Sequence, residues 1–171
     1  MTLKPQDIIV LAAIFLKGRD SWTIQSIARG VGMSPSEVHA ALKRSTDARL
    51  YNPDLRRVLV SAFEEFLIHG IKYAFPPRRG GMARGIPTSY AAPPLREKLV
   101  HIPTEPEPVW PCPEGTSRGF EFAPLYPSVP RAAMADHNLY EFLALIDALR
   151  SGSARVVGLA ETEIRECLKS T

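Results

Sequence analysis

Residues 23–45 read TIQSIARGVGMSPSEVHAALKRS, a stretch in which capping and turn residues stand at regular intervals. Thr23 is placed to cap a first short helix, and Gly32 follows that helix at the point where a left-handed residue commonly ends one. Ser34 stands three residues before Glu37, which is the spacing of a capping box at the start of a second helix. The stretch therefore predicts two helices joined by a tight turn.

The register between these helices is specific. A crossing pair needs a small residue where the helices meet, a turn residue that tolerates positive φ, and an apolar residue that plugs back into the core. Ala28, Gly32 and Val38 fill these three positions, and together they predict a helix-turn-helix. The apolar set is completed by Ile27, Val31, Met33 and Ala41.

The flanking sequence adds further elements. Residues 5–17 have the periodicity of an amphipathic helix that stops at Gly18. Residues 49–51 and 58–60 predict two short strands around a turn, which together make a small wing. A competing interpretation starts a helix at Asn52 and removes the wing, but that helix would point its apolar residues in too many directions. Ser61 is placed to cap another helix.

Proline divides the rest of the chain. Thirteen of the sixteen prolines lie between Pro76 and Pro130. This middle segment contains a flexible, basic stretch at 78–85, a possible helical turn opened by Pro94, and a possible β-hairpin formed by 110–113 and 118–122. Its aromatic residues are atypical of a disordered linker. We therefore expect an extended arm that packs either onto the folded part of this chain or onto a partner protein.

The tail is free of proline and strongly periodic. Apolar residues from Leu139 to Leu149 share one helical face, Gly152 interrupts the pattern, and Ser153 is placed to cap a last helix. These two helices predict a helical hairpin, which closes either on itself or on a second copy.

The first part of the chain resembles a known family. GMSPSEV at 32–38, RLY at 49–51 and RRVLV at 56–60 are similar to the turn, recognition helix and wing of winged helix-turn-helix regulators from bacteria and archaea, particularly the MarR-like group. The resemblance covers roughly residues 4–73, and the residues after 75 match no family. The short wing and the proline-rich continuation depart from the MarR pattern, in which a long dimerising helix follows.

The expected fold is therefore mainly α with a small β wing. Its parts are a winged helix-turn-helix domain (1–75), a proline-rich extended arm (76–134) and a C-terminal helical hairpin for dimerisation or partner docking (135–171).

The resemblance implies that the second helix of the motif enters the major groove of double-stranded DNA. Polar groups at its start suit phosphates, His39 and Lys43 lie one turn apart where they reach base edges, and the arginines nearby suit the backbone or the minor groove. Each of these side chains has a simpler interpretation as a solvated surface residue. The predicted DNA-binding residues are Thr23, Ser34, Ser36, His39, Ala40, Lys43, Arg44, Arg49, Arg56 and Arg57.

Charge is distributed unevenly along the chain. Residues 1–84 hold 13 Lys and Arg against 7 Asp and Glu, a formal charge of +6, whereas residues 85–171 hold 8 against 11, a charge of −3. A basic first half suits a polyanion, although a solvated face gives the same balance. Arg78, Arg79 and Arg84 are either a DNA-seeking arm or part of a solvated loop.

Other classes of function are not favoured. No apolar run is long enough to span a membrane and no signal peptide is recognised, which predicts a cytoplasmic protein. The two cysteines and four histidines have no metal-ligand spacing, and no catalytic motif is present, so we expect no metal, no cofactor and no enzyme activity.

We therefore expect a transcriptional regulator, acting as a homodimeric repressor of its own operon. The alternative is an antitoxin-like or adaptor protein whose arm and C-terminal helices bind a partner protein encoded nearby.

Overall fold

In the computed structural model, which describes residues 1–18, 21–100 and 104–170, the chain begins with helix α1 (Pro5–Lys17). Its bounds are those that the sequence predicts, with a proline in the first turn and Gly18 at the end. Every residue from Asp7 to Phe15 is buried, so the helix has no solvent face along this stretch. An amphipathic helix was expected. The difference arises because a second central helix, α8 (His137–Ser151), also packs against α1.

The remaining elements show a mainly helical chain with small β parts. The other helices among the described residues are α2 (Ile24–Val31), α3 (Pro35–Asp47), α4 (Val60–Glu65), α5 (Ile71–Ala74), α6 (Leu95–Lys98), α7 (Val129–Ala135) and α9 (Ala154–Lys169). A π-helical turn (Phe66–Gly70) joins α4 to α5, and a 3-10 turn (Ser89–Ala91) precedes α6.

Local capping signals placed most helix starts correctly. Thr23, Ser34 and Ser153 cap α2, α3 and α9 through their side chains, as predicted. The expected cap at Ser61 is wrong by two residues, because α4 begins at Val60 with Leu59 at the N-cap position and no side-chain cap.

Strands β1 (Tyr51–Asn52) and β2 (Arg57–Val58) form a two-stranded antiparallel ribbon. Within the turn between them, Asn52 Oδ1 accepts a 3.0 Å hydrogen bond from the amide of Leu55. The ribbon confirms the choice of two strands over a helix in this segment, although each strand has only two residues.

The structure differs most from the sequence-based prediction in the proline-rich middle segment. Strands β3 (Arg79–Pro87), β4 (Pro108–Pro111) and β5 (Ser117–Phe122) close into a small three-stranded barrel. The basic stretch expected to be flexible is strand β3. The expected hairpin is absent, because β4 and β5 run parallel to each other and each pairs antiparallel with β3.

Glycine allows this unusually close packing of the barrel. A Cβ at Gly85 would lie 2.0 Å from the carbonyl oxygen of Trp110, and a Cβ at Gly119 would lie 1.9 Å from that of Glu107. Neither position has room for a side chain. The glycines that made this segment resemble a loop are therefore the residues that let its strands approach.

A buried carboxylate ties the barrel to α8. Asp147 is 1% exposed and accepts hydrogen bonds from Thr88 Oγ1 at 2.8 Å, Trp110 Nε1 at 2.6 Å and Arg150 Nη1 at 2.7 Å. Arg150 also donates from Nε to the carbonyl of Phe75 at 2.8 Å. One polar cluster thus fixes the strands, α8 and the end of α5 relative to one another.

The hydrophobic core runs without interruption from the first helices to the last. Phe142 of α8 packs against Phe15 of α1 and Phe63 of α4, with ring centroids 6.1 and 6.4 Å apart. Helix α9 packs against α8, and α7 packs against α2. The C-terminal helices therefore cover the N-terminal ones within the same chain.

Candidate nucleic-acid interface

The turn between α2 and α3 has the geometry that the sequence predicts. Gly32 is left-handed, with φ 68° and ψ 38°, and the amide of Met33 donates to the carbonyl of Ala28 at 2.9 Å. The capping box is complete: Ser34 Oγ accepts from the amide of Glu37 at 3.2 Å, and Glu37 Oε2 accepts from the amide of Ser34 at 2.7 Å. These hydrogen bonds fix the residue at which α3 starts and the direction of the helix relative to α2.

Helix α3 has a buried face and an exposed face. Val38 and Ala41 are fully buried against the core. On the outer side, His39 and Lys43 are exposed one helical turn apart, and Ala40 is half-buried beside them. The hydroxyl residues placed here by the sequence, Thr23, Ser34 and Ser36, are exposed as well. This outer face presents a polar, partly basic surface to solvent.

Arg44 does not belong to that surface. Its side chain is turned inward and makes a bidentate ion pair with Asp7, with Nε 2.8 Å from Oδ2 and Nη2 2.6 Å from Oδ1. Asp7 is fully buried, so its carboxylate needs a charged partner, and the hydrogen bonds to it raise the pKa of Arg44. The expectation that Arg44 contacts a DNA backbone is therefore wrong, because this arginine joins α3 to the first turn of α1.

The arginines around the ribbon remain near the surface. Arg49 is exposed with φ 59°, at the end of α3 where a glycine is usual. Arg56 also has a positive φ, 49°, and its guanidinium lies 4.6 Å from the ring centroid of Trp22 while donating to the carbonyl of Trp22 at 3.1 Å. Arg57 is half-buried in β2.

An open groove of about 450 Å³ lies between α3 and the ribbon. Trp22 and Tyr51 contribute its apolar surface and pack edge to face with centroids 6.5 Å apart. The groove is also lined by the nitrogen-bearing side chains of His39, Lys43 and Arg56. The structure thus brings three of the sequence-predicted residues together around one groove.

The sequence did not predict the support of this site by the second half of the chain. The Tyr126 hydroxyl donates to Glu37 Oε1 at 2.7 Å, and the Ser128 hydroxyl donates to the carbonyl of Val31 at 2.6 Å. The pKa of Glu37 is lowered to about 2 because its carboxylate accepts first from the backbone of Ser34 and then from Tyr126. A Cβ at Gly32 would lie 3.0 Å from Cβ of Ser128. The segment before α7 therefore braces the turn.

The aromatic residues of the proline-rich middle segment pack within the chain itself. Trp110 and Phe122 are buried in the core, at 1% and 0% exposed. Phe120 and Phe122 contribute to a small cavity of about 170 Å³ beside Arg79 and Tyr90. Cys112 and Cys167 are both free thiols.

Within the residues that the structure describes, no three His, Cys, Asp or Glu side chains cluster as a metal site. No helix in that part of the chain has the length and hydropathy needed to cross a membrane. No protein-family model matches the chain, and no curated protein or solved structure matches it.

Proposed function

We propose that this chain is a DNA-binding transcriptional regulator whose residues 1–75 form a winged helix-turn-helix. The observation that carries the proposal is the outer face of α3, where His39 and Lys43 are exposed one turn apart while Val38 anchors the opposite face. A recognition helix needs this combination, because its reading side chains must be free while its backbone is rigidly held.

Helix α3 then enters the major groove by its N-terminal half. The exposed hydroxyls of Ser34 and Ser36 at the start of α3 suit a phosphate. His39 and Lys43 face base edges, and the ribbon lies along the flanking backbone with Arg56 and Arg57. The groove between α3 and the ribbon accommodates the sugar–phosphate strand between these two contacts.

Two arginines beside α3 add positive charge to the same surface. Arg49 is exposed at the end of α3, and Arg56 is exposed in the turn of the ribbon, where its guanidinium lies over the ring of Trp22. Exposed guanidiniums at these positions suit phosphate binding.

The protein is proposed to act as a homodimeric repressor of its own operon. One recognition helix reads few base pairs, and two copies related by a two-fold axis lengthen the site. The alternative, in which the aromatic arm clasps a partner protein, has less support because Trp110 and Phe122 are buried in the chain's own core.

Binding to the DNA upstream of its own gene tests the proposal. A labelled duplex from that region and a duplex of scrambled sequence are titrated with the full chain at about 0.15 M salt. We expect at least a roughly thousandfold preference for the upstream duplex, the usual lower bound for specific recognition. Equal affinity for both duplexes, or no binding to either, would contradict a sequence-specific regulator.

A further inference from the structure

Two arginines face each other across the barrel strands. In the antiparallel pair of β3 and β5, Arg84 lies directly opposite Arg118, and both residues are exposed. Directly opposed residues project from the same side of a sheet with their Cβ atoms about 4.5–5.5 Å apart, and like charges in that position are destabilising. Neither guanidinium makes a salt bridge or a hydrogen bond with any residue that the structure describes.

The positive charge continues along the strands. The next paired position, Met82 opposite Phe120, lies two residues along each strand and hence on the same side. The guanidinium of Arg79 lies 4.8 Å from the ring centroid of Phe120. An acidic side chain, Glu121, is also exposed on β5, where it lies beside Gly80. We call Arg79, Arg84 and Arg118 the barrel arginines.

A short segment connects the barrel to the start of α3. Strand β5 leads into the segment whose Tyr126 binds Glu37 in the first turn of α3. Arg118 and Tyr126 are eight residues apart, a span of at most about 29 Å even in a fully extended chain. One turn of duplex DNA is about 34 Å long. A duplex that extends about two turns beyond α3 is therefore long enough to reach this part of the barrel.

We propose that Arg84 and Arg118, flanked by Arg79, contact the phosphate backbone of the same DNA duplex that α3 reads. This inference rests on the proposed function. Two unpaired guanidiniums held side by side repel each other in the free protein, and a phosphate between them replaces that repulsion with two charge-assisted hydrogen bonds. The contact carries no sequence information, so it strengthens binding to every duplex and fixes the orientation of the protein.

Salt dependence is the measurement that isolates this contact. The affinity of the full chain for its upstream duplex is measured across a salt series for the wild type, Arg84→Ala/Arg118→Ala, and a control variant, Lys72→Ala/Lys169→Ala. The control removes two exposed charges from helices α5 and α9, outside the barrel. For the barrel variant, we expect the slope of log Kd against log salt to fall by about 2 and the affinity at about 0.15 M salt to drop roughly tenfold. The control should keep the wild-type slope.

Thermal unfolding excludes a merely structural effect. Removing two like charges that face each other in Arg84→Ala/Arg118→Ala should leave Tm unchanged or higher, and Arg118→Glu should raise Tm by placing a carboxylate opposite Arg84 while still weakening DNA binding. A lower Tm for both of these variants would show that the arginines serve the barrel, and would overturn the proposal.

The same series separates this inference from the function on which it rests. Wild-type slope and affinity in Arg84→Ala/Arg118→Ala, in a protein that binds its upstream duplex through His39 and Lys43, would overturn the inference alone. A wild type that binds no duplex would overturn both.

Discussion

The hydroxyl of Tyr126 donates a 2.7 Å hydrogen bond to Oε1 of Glu37, and this bond connects the start of α3 to a residue 89 positions later. The other oxygen of the same carboxylate caps the helix by accepting from the amide of Ser34. Glu37 is therefore held on both sides and turned toward the body of the protein. The bond therefore fixes the orientation of the first turn of α3 relative to the second half of the chain.

Ionisation of Glu37 should make the stability of the folded protein depend on pH below about pH 4.5. Its pKa in the folded protein, about 2, lies below the ordinary value of 4.5. The unfolded chain therefore binds the proton more tightly than the folded one, and the stabilisation from Glu37 is fully present above about pH 4.5 and is lost as pH falls toward 2. Thermal unfolding between pH 6 and pH 2 should show a steeper loss of Tm for the wild type than for Glu37→Gln. Parallel curves would show that the two hydrogen bonds do not hold the ionised form.

Breaking the ion pair between Arg44 and Asp7 should be costly. Arg44→Ala leaves a fully buried carboxylate without its partner, which typically costs about 3–5 kcal/mol of the free energy of unfolding. Lys43→Ala, one residue earlier and exposed, should change stability by less than about 0.5 kcal/mol. Urea denaturation of the two variants checks the contrast. If Arg44→Ala were as stable as Lys43→Ala, Arg44 would not be anchoring α3 as the structure indicates.

Arg49→Gly should separate stability from function. Glycine adopts a φ of 59° without steric cost, so we expect the variant to be more stable than the wild type by about 1 kcal/mol. Its affinity for DNA should nevertheless fall, because a charge near the phosphates is lost. Arg29→Gly, an exposed residue of α2, should instead lower stability by about 1 kcal/mol. A destabilised Arg49→Gly that bound DNA normally would show that this arginine serves the fold rather than the interface.

Local signals in the sequence were sufficient for much of the helical structure. The capping residues Thr23, Ser34 and Ser153 act through hydrogen bonds within three residues of themselves, and Gly32 ends α2 through its own backbone conformation. Such features are visible in a short window because their partners are inside it. The run of consecutive apolar residues at 8–14 also signals a helix buried on all sides, although the periodicity alone suggested one buried face.

Long-range relationships were not predictable in the same way. Arg44 is 37 residues from Asp7, and although Arg44 lies one turn after the buried Ala41, nothing in its helix indicates that its partner is a buried carboxylate. Strand β3 is rich in glycine, which indicates a loop unless the close approach of a second backbone is known. The same holds for the barrel arginines, since the opposition of Arg84 and Arg118 exists only once β3 and β5 pair.

One titration tests whether the outer face of α3 reads duplex DNA. Fluorescence anisotropy with a labelled upstream duplex at about 0.15 M salt compares the wild type with His39→Ala/Lys43→Ala and with the control Lys72→Ala/Lys169→Ala. Thermal unfolding of each protein is measured in the same buffer.

We predict that His39→Ala/Lys43→Ala loses at least roughly tenfold in affinity for the upstream duplex, because both side chains face the bases in the proposed complex. The variant should keep the Tm of the wild type, because both side chains are exposed. The control should bind within about twofold of the wild type. Wild-type affinity in the His39→Ala/Lys43→Ala variant would show that the outer face of α3 does not read the DNA.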